Sequence, residues 1–568
     1  MNKTYDIIVV GGGPAGATAA GYLAQFGHEV LVLEKSVMPR HAIGESLLPS
    51  AMPLLEDLGV LEEVEAQNFP KKTGGTFIWG KDKEPWSVLF SSNPFLPYPY
   101  AYHVDRSIFD KLMLDNSERL GATVLQGWGV VDAIMKDGRI GGVIAQEGKD
   151  GDRQEFHANW VIDASGRAST LGKKLTKRTY DPQMNQVAFY SYYRNVKGPA
   201  DADIEGHVIV ESHSRGWTWY IPLESQELGD VSVGVVSGAE FKEEFAESGV
   251  EKFFQDSIDE CPMLLETLGP DAERVADVRA ITDWAYSCDH MAGDGYFLSG
   301  DAACFLDPLL STGVSMAMLS GYSAAICLNS IIKDPSMDGP AQEFYTANYT
   351  RMWDVTKDFL HYFYAGNANA YPEDMFWKAR AQLQLGDNVG ARQAFCFLVN
   401  TIPANPHPAL RKQIHMFMQF MDNIEHPTEE DFSQDEQLQE MAEQTQDDYV
   451  DFSHLHDALV PEVNGNLEQS WQIDGDENVL KPIRGVTYDE NRPVFSTSAS
   501  WLLGRNIHPL EDSALNLLKS FDQKTSWGEV IQAHADREGL AEPDARKALV
   551  AQLEPLVEEN IVLLRKAS

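Results

Sequence analysis

Two adjacent lysines, Lys71 and Lys72, stand just before an apolar segment in the stretch 69–80. A lysine pair is most often a solvated surface feature, and that interpretation stays open here. The glycines and aromatic residues around the pair nevertheless indicate that one of the two lysines points inward. A lysine that reaches a pocket brings a mobile cation that can hold an anion, and burial shifts its pKa readily. The segment therefore offers a candidate catalytic amine.

Glycines near the start of the chain are spaced as G-x-G-x-x-G, between an apolar run at 7–10 and a helical pattern at 17–26. A second apolar run at 30–33 ends on an acidic residue, so the stretch predicts a complete βαβ unit. In such a unit the glycines let the backbone approach a pyrophosphate, and the acidic residue accepts hydrogen bonds from a ribose diol. We expect a dinucleotide to contact this unit at Gly11, Gly13, Ala15, Gly16, Glu34 and Lys35.

Further polar residues lie where the chain is predicted to turn close to a ligand. Glu45 and Ser46 belong to a glycine-containing loop, although Ser46 could equally cap a helix. Arg106 lies in the first turn of a predicted helix, where the macrodipole disfavours a cation. It therefore holds a cofactor edge or makes a surface ion pair with Asp105 or Asp110. Strand ends followed by sharp turns add candidates for a two-nucleotide cofactor such as FAD, namely Asp163, Gly166, Gly300 and Asp301.

Two tryptophans, Trp217 and Trp219, are two residues apart in a predicted strand and therefore lie on one face of it. Ordinary sheet packing explains such a pair equally well. Downstream, a long helix is predicted over 315–332, directly after a loop that contains serine, threonine and glycine. Free amides at a helix N-terminus bind small anions, so the amides of Thr312 and Gly313 form a candidate anion site.

The composition restricts the class of protein. The chain has 568 residues, enough for two or three domains, and its net charge of -41 argues against nucleic acids and anionic membranes as partners. The five scattered cysteines have no spacing typical of a metal site or a disulfide framework. No signal peptide or membrane-spanning stretch is recognisable. We therefore expect a cytoplasmic protein without a metal.

The elements that position these residues are predicted to form three parts. Residues 1–370 combine βαβ units with a mainly β region and hold all of the candidate residues. Residues 371–492 are predicted as a helical region followed by an acidic linker. The tail, 493–568, is predicted as a small winged-helix-like module with helices at 513–520, 527–538 and 543–559 and a strand at 561–564. Its composition is too acidic for a DNA reader, so we expect it to pack on the body or dock a partner.

These motifs resemble those of a known family. The nucleotide-binding motifs are similar to the glutathione-reductase-type FAD fold of the class A flavin monooxygenases, an α/β fold with a mixed β-sheet substrate region. Three further motifs resemble those of flavin-dependent halogenases: Trp217-x-Trp219-x-Ile221-Pro222, Phe69-x-x-Lys72-x-Gly74 and Pro308-x-x-Ser311-x-Gly313. The resemblance covers about residues 1–370, and the length with the appended tail is similar to that of the chloramphenicol-pathway group.

The resemblance implies a halogenase of natural-product biosynthesis that uses reduced FAD, supplied by a separate flavin reductase, together with dioxygen and chloride or bromide. Halide held at Thr312 and Gly313 becomes hypohalous acid, which travels through a tunnel to Lys72. The lysine then orients the acid by hydrogen bonding or forms a haloamine. An electron-rich aromatic or activated acyl substrate is halogenated, either a free small molecule or one tethered to a carrier protein. In this family the tryptophan pair keeps the substrate away from the flavin.

Some positions leave alternatives open within this resemblance. The motif selects Lys72 over Lys71 by a single residue of spacing. Leu310 stands where tryptophan halogenases have a glutamate, which argues against free tryptophan as the substrate. Asp277 lies in a stretch similar to one whose aspartate is bonded covalently to the flavin, although it could be an ordinary strand-end residue. A monooxygenase of the same fold that uses NADPH directly is the alternative function, and independence from halide would distinguish it.

Overall fold

The computed structural model describes residues 3–380 apart from 81–82, 93–95, 283–284 and 369, together with segments of the C-terminal part. Those segments are 459–463, 470–474, 478–483, 487–489, 492–495, 508–509, 525–558 and 562–566. The chain divides into two units, Met1–Gln413 and Ile414–Ser568. The helix predicted at 513–520 lies outside the described residues.

The strands of the first unit are, in chain order, β1 (Thr4–Val10), β2 (Val30–Glu34), β3 (Lys71–Lys72), β4 (Gly74–Ile78), β5 (Pro85–Leu89), β6 (Ala101–Tyr102), β7 (Thr123–Gln126), β8 (Trp128–Lys136), β9 (Arg139–Glu147), β10 (Arg153–Asp163), β11 (Arg178–Tyr180), β12 (Gln186–Arg194), β13 (His207–His213), β14 (Gly216–Ser225), β15 (Gly229–Gly238), β16 (Glu273–Arg274), β17 (Arg279–Thr282), β18 (Tyr286–Cys288), β19 (Ala292–Gly293), β20 (Tyr296–Leu298) and β21 (Cys304–Phe305). Its helices are α1 (Pro14–Gln25), α2 (Met52–Asp57), α3 (Leu61–Glu65), α4 (Arg106–Arg119), α5 (Gly172–Leu175), α6 (Lys242–Ser248), α7 (Val250–Ile258), α8 (Pro262–Leu268), α9 (Gly313–Lys333), α10 (Asp338–Ala368) and α11 (Met375–Arg380).

The first sheet has the order β19-β20-β10-β1-β2-β7, and the β8–β9 hairpin joins it along β10. Strand β1 pairs in parallel with both β2 and β10, and β10 pairs in parallel with β20. Ligands bind beyond the carboxyl ends of parallel strands, at the crevice where neighbouring strands diverge. This topology brings the turns after β1, β10 and β20 to one edge, together with the acidic end of β2.

Helix α9 packs against α1, the helix that follows the glycine-rich turn. The contact is close because Gly321 has no side chain: a Cβ there would lie 2.3 Å from the carbonyl oxygen of Ala15. By length and composition α9 could cross a membrane, but 94% of its apolar window is buried inside the protein. The sequence analysis identified no membrane-spanning stretch. Helix α9 has the length and composition of one, but it is a buried core helix.

The second sheet has the order β16-β12-β15-β14-β13-β4-β5, with β17 beside β12. Strand β14 carries both Trp217 and Trp219 and lies between β13 and β15 in antiparallel pairing. Gly234 stands opposite Trp219, and a Cβ on Gly234 would lie 2.2 Å from the indole ring. The missing side chain therefore makes room for the tryptophan on this face of the sheet.

The predicted elements of the first unit agree closely with those of the structure. Strands predicted at 7–10, 30–33, 187–193, 207–211 and 231–236 correspond to β1, β2, β12, β13 and β15. The helix predicted at 17–26 begins earlier, at Pro14, because proline is favoured in the first turn of a helix. The long helix predicted at 315–332 is α9, which begins at Gly313.

The second unit contains more β-structure than the sequence suggested. Among its described residues the strands are β22 (Leu459–Val463), β23 (Ser470–Asp474), β24 (Val479–Ile483), β25 (Thr487–Asp489), β26 (Arg492–Phe495), β27 (His508–Pro509) and β28 (Val562–Lys566), and the helices are α12 (Trp527–Glu538) and α13 (Glu542–Glu558). Strands β22, β23 and β24 interrupt the acidic linker predicted within 371–492. The prediction weighed net charge above the local alternation of apolar residues that favours strands. Helices α12 and α13 and strand β28 match the tail prediction within about two residues, and a winged-helix-like module stays a prediction.

The first prediction concerns the glycine of α1 that faces the turn. A Cβ on Gly16 would lie 1.9 Å from the carbonyl oxygen of Gly11, so Gly16→Ala is expected to lower the unfolding free energy by more than about 2 kcal/mol. Gly366 lies exposed within α10 with no atom near its Cβ position, so Gly366→Ala is expected to raise stability by about 0.5–1 kcal/mol. Urea denaturation of both variants measures the two effects. Equal stability of the two variants would contradict the close packing at Gly16.

Candidate active site

A cavity of about 650 Å³ lies between the two sheets of the first unit. It is lined by the turns after β1, β10 and β20, by the loop 40–46, by the tryptophans of β14 and by the start of α9. The predicted residues that line it are Gly11, Gly13, Ala15, Glu34, Lys35, Glu45, Ser46, Arg106, Gly166, Trp217, Trp219, Gly300, Asp301, Pro308, Ser311 and Gly313. The predicted residues that do not line it are Gly16, Lys71, Lys72, Asp163, Asp277 and Thr312.

The glycine-rich turn has the conformation that its sequence requires. Gly11 has a φ of +102°, and a Cβ there would lie 2.5 Å from the carbonyl oxygen of Ala164. Gly13 faces the cavity, where a Cβ would lie 3.1 Å from the guanidinium of Arg40. Helix α1 starts directly after this turn, so its free amides point at the cavity. The arrangement fits a pyrophosphate.

Glu34 ends β2 as predicted, and its carboxylate has a structural role as well. It accepts hydrogen bonds from the amides of Gly12, at 2.7 Å, and Ser36, at 2.8 Å. The residue is buried yet still lines the cavity. Glu34 therefore fixes the glycine-rich turn and remains placed for the hydroxyl groups of a ribose.

Arg40 is a cavity residue that the sequence analysis did not identify. Its guanidinium lies 3.2 Å from Asp110 and 3.9 Å from Glu34, next to the position where Gly13 lacks a side chain. A cation here would meet the negative charge of a pyrophosphate. Arg40 follows a proline, six residues after Glu34, but nothing in the local sequence pattern distinguished this arginine from a surface residue.

Arg106 is buried and acts mainly on the backbone of the loop 40–46. It makes a bidentate ion pair with Asp110, at 2.7 and 3.0 Å, and donates to the carbonyl oxygens of Ile43 and Gly44. The predicted pair with Asp110 is therefore confirmed, but it is buried rather than on the surface. Asp105 instead caps α4 by accepting from the amide of Ser107.

The loop that follows contributes Glu45 and Ser46, which are both buried. The hydroxyl of Tyr192 donates to Glu45 at 2.7 Å, while burial raises the pKa of Glu45 to about 7. Ser46 pairs with His103 through the backbone, and the next helical turn begins only at Pro49, so Ser46 is not a helix cap. The buried hydroxyl of Ser46 has no hydrogen-bond partner within the protein, as expected for a group that faces a ligand.

Asp163 and Asp301, two acidic residues at strand ends, differ in whether they line the cavity. Asp163 accepts from the amides of Ser165, Leu171 and Gly172, so it shapes the turn and leaves contact with the cavity to Gly166. A direct contact of Asp163 with the cofactor stays a prediction. Asp301 does line the cavity, and burial raises its pKa to about 6 against the influence of nearby arginines.

Asp277 is exposed and lies just before β17, outside the cavity lining. Ile281, four residues further along, does line the cavity. A covalent bond between Asp277 and a flavin therefore stays a prediction, since Asp277 itself does not line the cavity.

The tryptophan pair forms one wall of the cavity. The two indole rings lie 6.1 Å apart between centroids, and both residues are buried. Trp217 donates from Nε1 to the hydroxyl of Tyr364 at 2.7 Å, and Trp219 donates to the hydroxyl of Ser232 at 3.3 Å. Each ring is therefore held by a hydrogen bond as well as by packing.

The loop before α9 brings its backbone to the cavity. Ser311 adopts the left-handed conformation, with a φ of +57°, directly before the helix. Such a conformation in a residue other than glycine costs free energy and is typical of functional loops. Gly313 begins α9 and lines the cavity, whereas Thr312 is its buried N-cap. The free amides of the first helical turn therefore point toward the cavity, and they suit a small anion.

Lys72 has a fully buried side chain, only 2% exposed, in a second, small cavity of about 40 Å³. Its ammonium group lies 5.6 Å from the ring centroid of Phe90. The other lining residues are Leu48, Gly74, Gly75, Phe77, Val88, Val208, Leu309, Leu310 and Ser311. Burial in these apolar surroundings lowers the pKa of Lys72 to about 7. Lys71 points the other way, is exposed and lies over the ring of Tyr100.

The two cavities share part of one wall. Val208, Leu309 and Ser311 line both the large cavity and the small one that contains Lys72. The two cavities are therefore adjacent at these three residues. The motifs alone gave no indication of this adjacency, because the three residues come from β13 and from the loop before α9.

A three-segment ribbon connects the backbone near Lys72 to the loop 40–46. In this lysine ribbon, segments 45–47 and 70–72 pair with opposite edges of segment 101–104. Leu47 donates to Tyr102 and Val104 donates to Glu45 on one edge. On the other edge Lys72 pairs with Ala101, and His103 donates to Pro70. The ribbon fixes the lysine relative to the residues that line the large cavity.

These features fit FAD. The large cavity offers a glycine cradle, a carboxylate placed for a ribose and three arginines, Arg40, Arg106 and Arg167, that line its wall. The Nε atom of Arg167 is buried without a hydrogen-bond partner in the protein, so it is available to a bound group. Among the described residues no group of three or more histidine, cysteine, aspartate or glutamate side chains could hold a metal ion.

The chain matches the family model described as tryptophan halogenase over residues 6–95 and 91–397. It is 35% identical over 382 residues to a tryptophan 2-halogenase of Chondromyces crocatus, covering 67% of this chain and 71% of that protein. It is also 35% identical over 347 residues to a 1H-pyrrole-2-carbonyl-(peptidyl-carrier protein) chlorinase of Pseudomonas fluorescens, covering 56% of this chain and 75% of that protein.

Solved structures extend the similarity to the fold. The myxobacterial chondrochloren halogenase CndH, an FAD-dependent halogenase, is 33% identical with a TM-score of 0.63, over 73% of this chain and 97% of that one. The flavin-dependent halogenase CmlS is 25% identical with a TM-score of 0.73, over 100% of this chain and 96% of that one. The glutathione-reductase-type FAD fold predicted from the motifs is thereby confirmed.

The second prediction concerns the cost of burying Lys72. Its pKa is about 7 in the folded protein, against an ordinary lysine value of 10.5, so the unfolded chain binds an extra proton between these values. The contribution of Lys72 to stability therefore rises with pH across pH 7 to 10, and below pH 7 its full penalty remains. We expect Lys72→Met to be more stable than the wild type by at most about 5 kcal/mol at pH 6, with the difference shrinking toward pH 10. Denaturant unfolding at several pH values measures this.

Lys71→Met is the matched control. The side chain of Lys71 is exposed, so its replacement is expected to change the unfolding free energy by less than about 1 kcal/mol. A Lys72→Met variant that is less stable than the wild type at pH 6 would contradict the burial of an amine at this position.

Proposed function

The chain belongs to the tryptophan halogenase family and is a flavin-dependent halogenase, and we propose that Lys72 is the residue that passes the halogen to the substrate. One observation carries this proposal: the buried amine lies in an apolar cavity that shares Val208, Leu309 and Ser311 with the cofactor cavity. An oxidant that leaves the cofactor cavity through this wall enters the cavity that contains Lys72. Lys71, on the outer face, has no such access.

Reduced FAD, when bound, supplies the electrons with which dioxygen oxidises chloride or bromide to hypohalous acid. The protein's own contribution begins with the halide, which we place at the free amides of the first turn of α9, near Thr312 and Gly313. Trp217 and Trp219 close the cavity on the side of β14 and exclude an organic substrate from the flavin. Exclusion of water from this path prevents the oxidant from being lost.

The lowered pKa of Lys72 suits it to accept halogen as a neutral amine. In that step the nitrogen forms a bond to the halogen, the oxygen–halogen bond breaks and water leaves. Transfer of the halogen to an electron-rich carbon then regenerates the amine, while that carbon loses a proton. An ammonium form of Lys72 would instead orient hypohalous acid by hydrogen bonding.

The substrate class that we propose is an electron-rich aromatic ring or an activated acyl group, used in natural-product biosynthesis. Support for a carrier-tethered form comes from the relative named as a pyrrolyl-carrier-protein chlorinase. Leu310, which lines the lysine cavity, stands in place of the glutamate of tryptophan halogenases, so we do not favour free tryptophan. A separate flavin reductase and a cytoplasmic location complete the proposal.

The third prediction tests the reaction itself. Purified protein with FAD, a flavin reductase, NADH and chloride or bromide is expected to add halogen to a phenol, an indole or a pyrrole-2-carbonyl thioester of pantetheine, detected by isotope pattern. Lys72→Met should lower halogenation at least about 100-fold while FAD binding persists, because the amine is the last carrier of halogen. Lys71→Met, which leaves the buried amine in place, should stay within about twofold of the wild type.

A product that gains only oxygen and forms equally well without halide would instead support the monooxygenase. Wild-type activity in Lys72→Met would overturn the role of the lysine while leaving the halogenase assignment intact.

The fourth prediction distinguishes the two roles of Lys72. A neutral amine becomes populated as pH rises through about 7, so the single-turnover halogenation rate should rise with pH and level off above about 8. The measurement starts from bound reduced FAD, so that the reductase does not contribute to the profile. A rate that falls as pH rises through 7 would assign the ammonium form as a hydrogen-bond donor.

A further inference from the structure

The hydroxyl of Tyr364 lies between the tryptophan wall and the loop that precedes α9. It accepts a hydrogen bond from Trp217 Nε1 at 2.7 Å and donates one to Asp307 Oδ2 at 3.0 Å. Gln186 Oε1 lies further away, at 3.5 Å. All of these side chains are buried, so water does not compete for these bonds.

The other oxygen of Asp307 continues the connection into the loop. Asp307 Oδ1 accepts from the amide of Leu309 at 2.9 Å, and Leu309 lines both cavities. Trp217, at the other end, lines the large cavity. One chain of hydrogen bonds, from Trp217 through Tyr364 and Asp307 to Leu309, thus connects two sides of the path from the flavin cavity to Lys72. We call it the wall link.

We propose that Tyr364 is a positioning residue, which holds Trp217 at a fixed distance from Leu309 so that hypohalous acid can leave the flavin cavity only toward Lys72. The inference rests on the proposed function, because it requires an oxidant that forms in one cavity and is used in the other. It assigns a role to α10, the helix that carries Tyr364, which none of the sequence motifs includes.

The chemistry of the wall link explains why a tyrosine suits this position. The indole N–H of Trp217 can only donate a hydrogen bond, and the carboxylate of Asp307, when ionised, can only accept one. The group between them must therefore accept from the indole and donate to the carboxylate, and a hydroxyl can do both. Phenylalanine fills the same space but leaves both the indole and the carboxylate without that partner. A buried polar group left unpaired is destabilised, so Trp217 and Asp307 would each move to find another partner.

The test measures hypohalous acid that escapes into solution, without any substrate in the site. The probe is 2-chlorodimedone, a cyclic β-diketone that traps the oxidant in bulk solvent. Hypohalous acid forms a carbon–halogen bond with it, and the ring carbon's proton leaves in water. The assay contains protein, FAD, a flavin reductase, NADH and bromide, and it measures trapped halogen per dioxygen consumed.

Tyr364→Phe is expected to raise the trapped fraction by about tenfold, because the loss of one strong buried hydrogen bond corresponds to about a tenfold change in an equilibrium constant. FAD affinity and dioxygen consumption should change by less than about twofold. The matched control is Tyr345→Phe on the same helix, whose buried hydroxyl donates to the carbonyl oxygen of Leu298 at 2.6 Å and does not join the wall link. Tyr345→Phe should therefore trap as little halogen as the wild type.

Asp307 gives a second route to the same test if Tyr364→Phe fails to fold. Asp307→Leu breaks the wall link from the other end and should leak as much as Tyr364→Phe. In Asp307→Asn the amide oxygen still accepts from Leu309 and the amide nitrogen can donate to Tyr364, so leakage should stay within about twofold of the wild type. Leakage from Asp307→Asn equal to that of Asp307→Leu would show that charge, rather than position, matters, and would overturn the proposal.

The outcomes separate the two levels of inference. Equal trapping by Tyr364→Phe and Tyr345→Phe, with normal halogenation of a substrate by both, would overturn the wall link and leave the halogenase reaction in place. Absence of halogenated probe and of halogenated substrate from every variant, with dioxygen consumed, would overturn both proposals together.

Discussion

The central physical constraint in this protein is the burial of one amine. Lys72 lies among aliphatic and aromatic side chains, and these surroundings lower its pKa to about 7. Burial of an ammonium group is unfavourable, so the backbone around it has to be held firmly by other interactions. The lysine ribbon provides them, because hydrogen bonds on both edges of segment 101–104 fix segments 70–72 and 45–47. The same ribbon sets the position of Glu45 and Ser46 in the cofactor cavity.

Most polar groups around the cofactor cavity serve the backbone first. Glu34 holds the glycine-rich turn, Asp163 shapes the turn after β10, and Arg106 binds the carbonyl oxygens of the loop 40–46. Each satisfies amides or carbonyls that burial would otherwise leave unpaired. Glu34, Asp163 and Arg106 therefore have partners within the protein before a cofactor binds. The hydroxyl of Ser46 and the Nε atom of Arg167, from two residues that line the cavity, are left without a protein partner.

The sequence allowed the βαβ unit, the strands of the second sheet and helix α9 to be predicted, because their hydrophobic patterns and glycines are local signals. It left Lys71 and Lys72 as alternatives, since the motif favoured Lys72 by only one residue of spacing. The wall shared by the two cavities could not be predicted, since Val208 and Leu309 come from distant parts of the chain and are ordinary apolar residues. Arg40, Tyr364 and Asp307 were missed for the same reason: their roles depend on partners that tertiary structure brings together. The prediction of an acidic linker gave net charge too much weight within 459–483, where the structure has short strands.

The composition of the lysine cavity has a consequence for how long such a protein can work. Hypohalous acid attacks thiols, thioethers and phenols quickly and aliphatic side chains hardly at all. The lining residues carry none of these vulnerable groups, and their one basic nitrogen is that of Lys72. The described cysteines, Cys261, Cys288, Cys304 and Cys327, are buried and lie outside both linings. The lining of the lysine cavity therefore offers hypohalous acid little to oxidise apart from Lys72, which limits one source of self-inactivation over many turnovers.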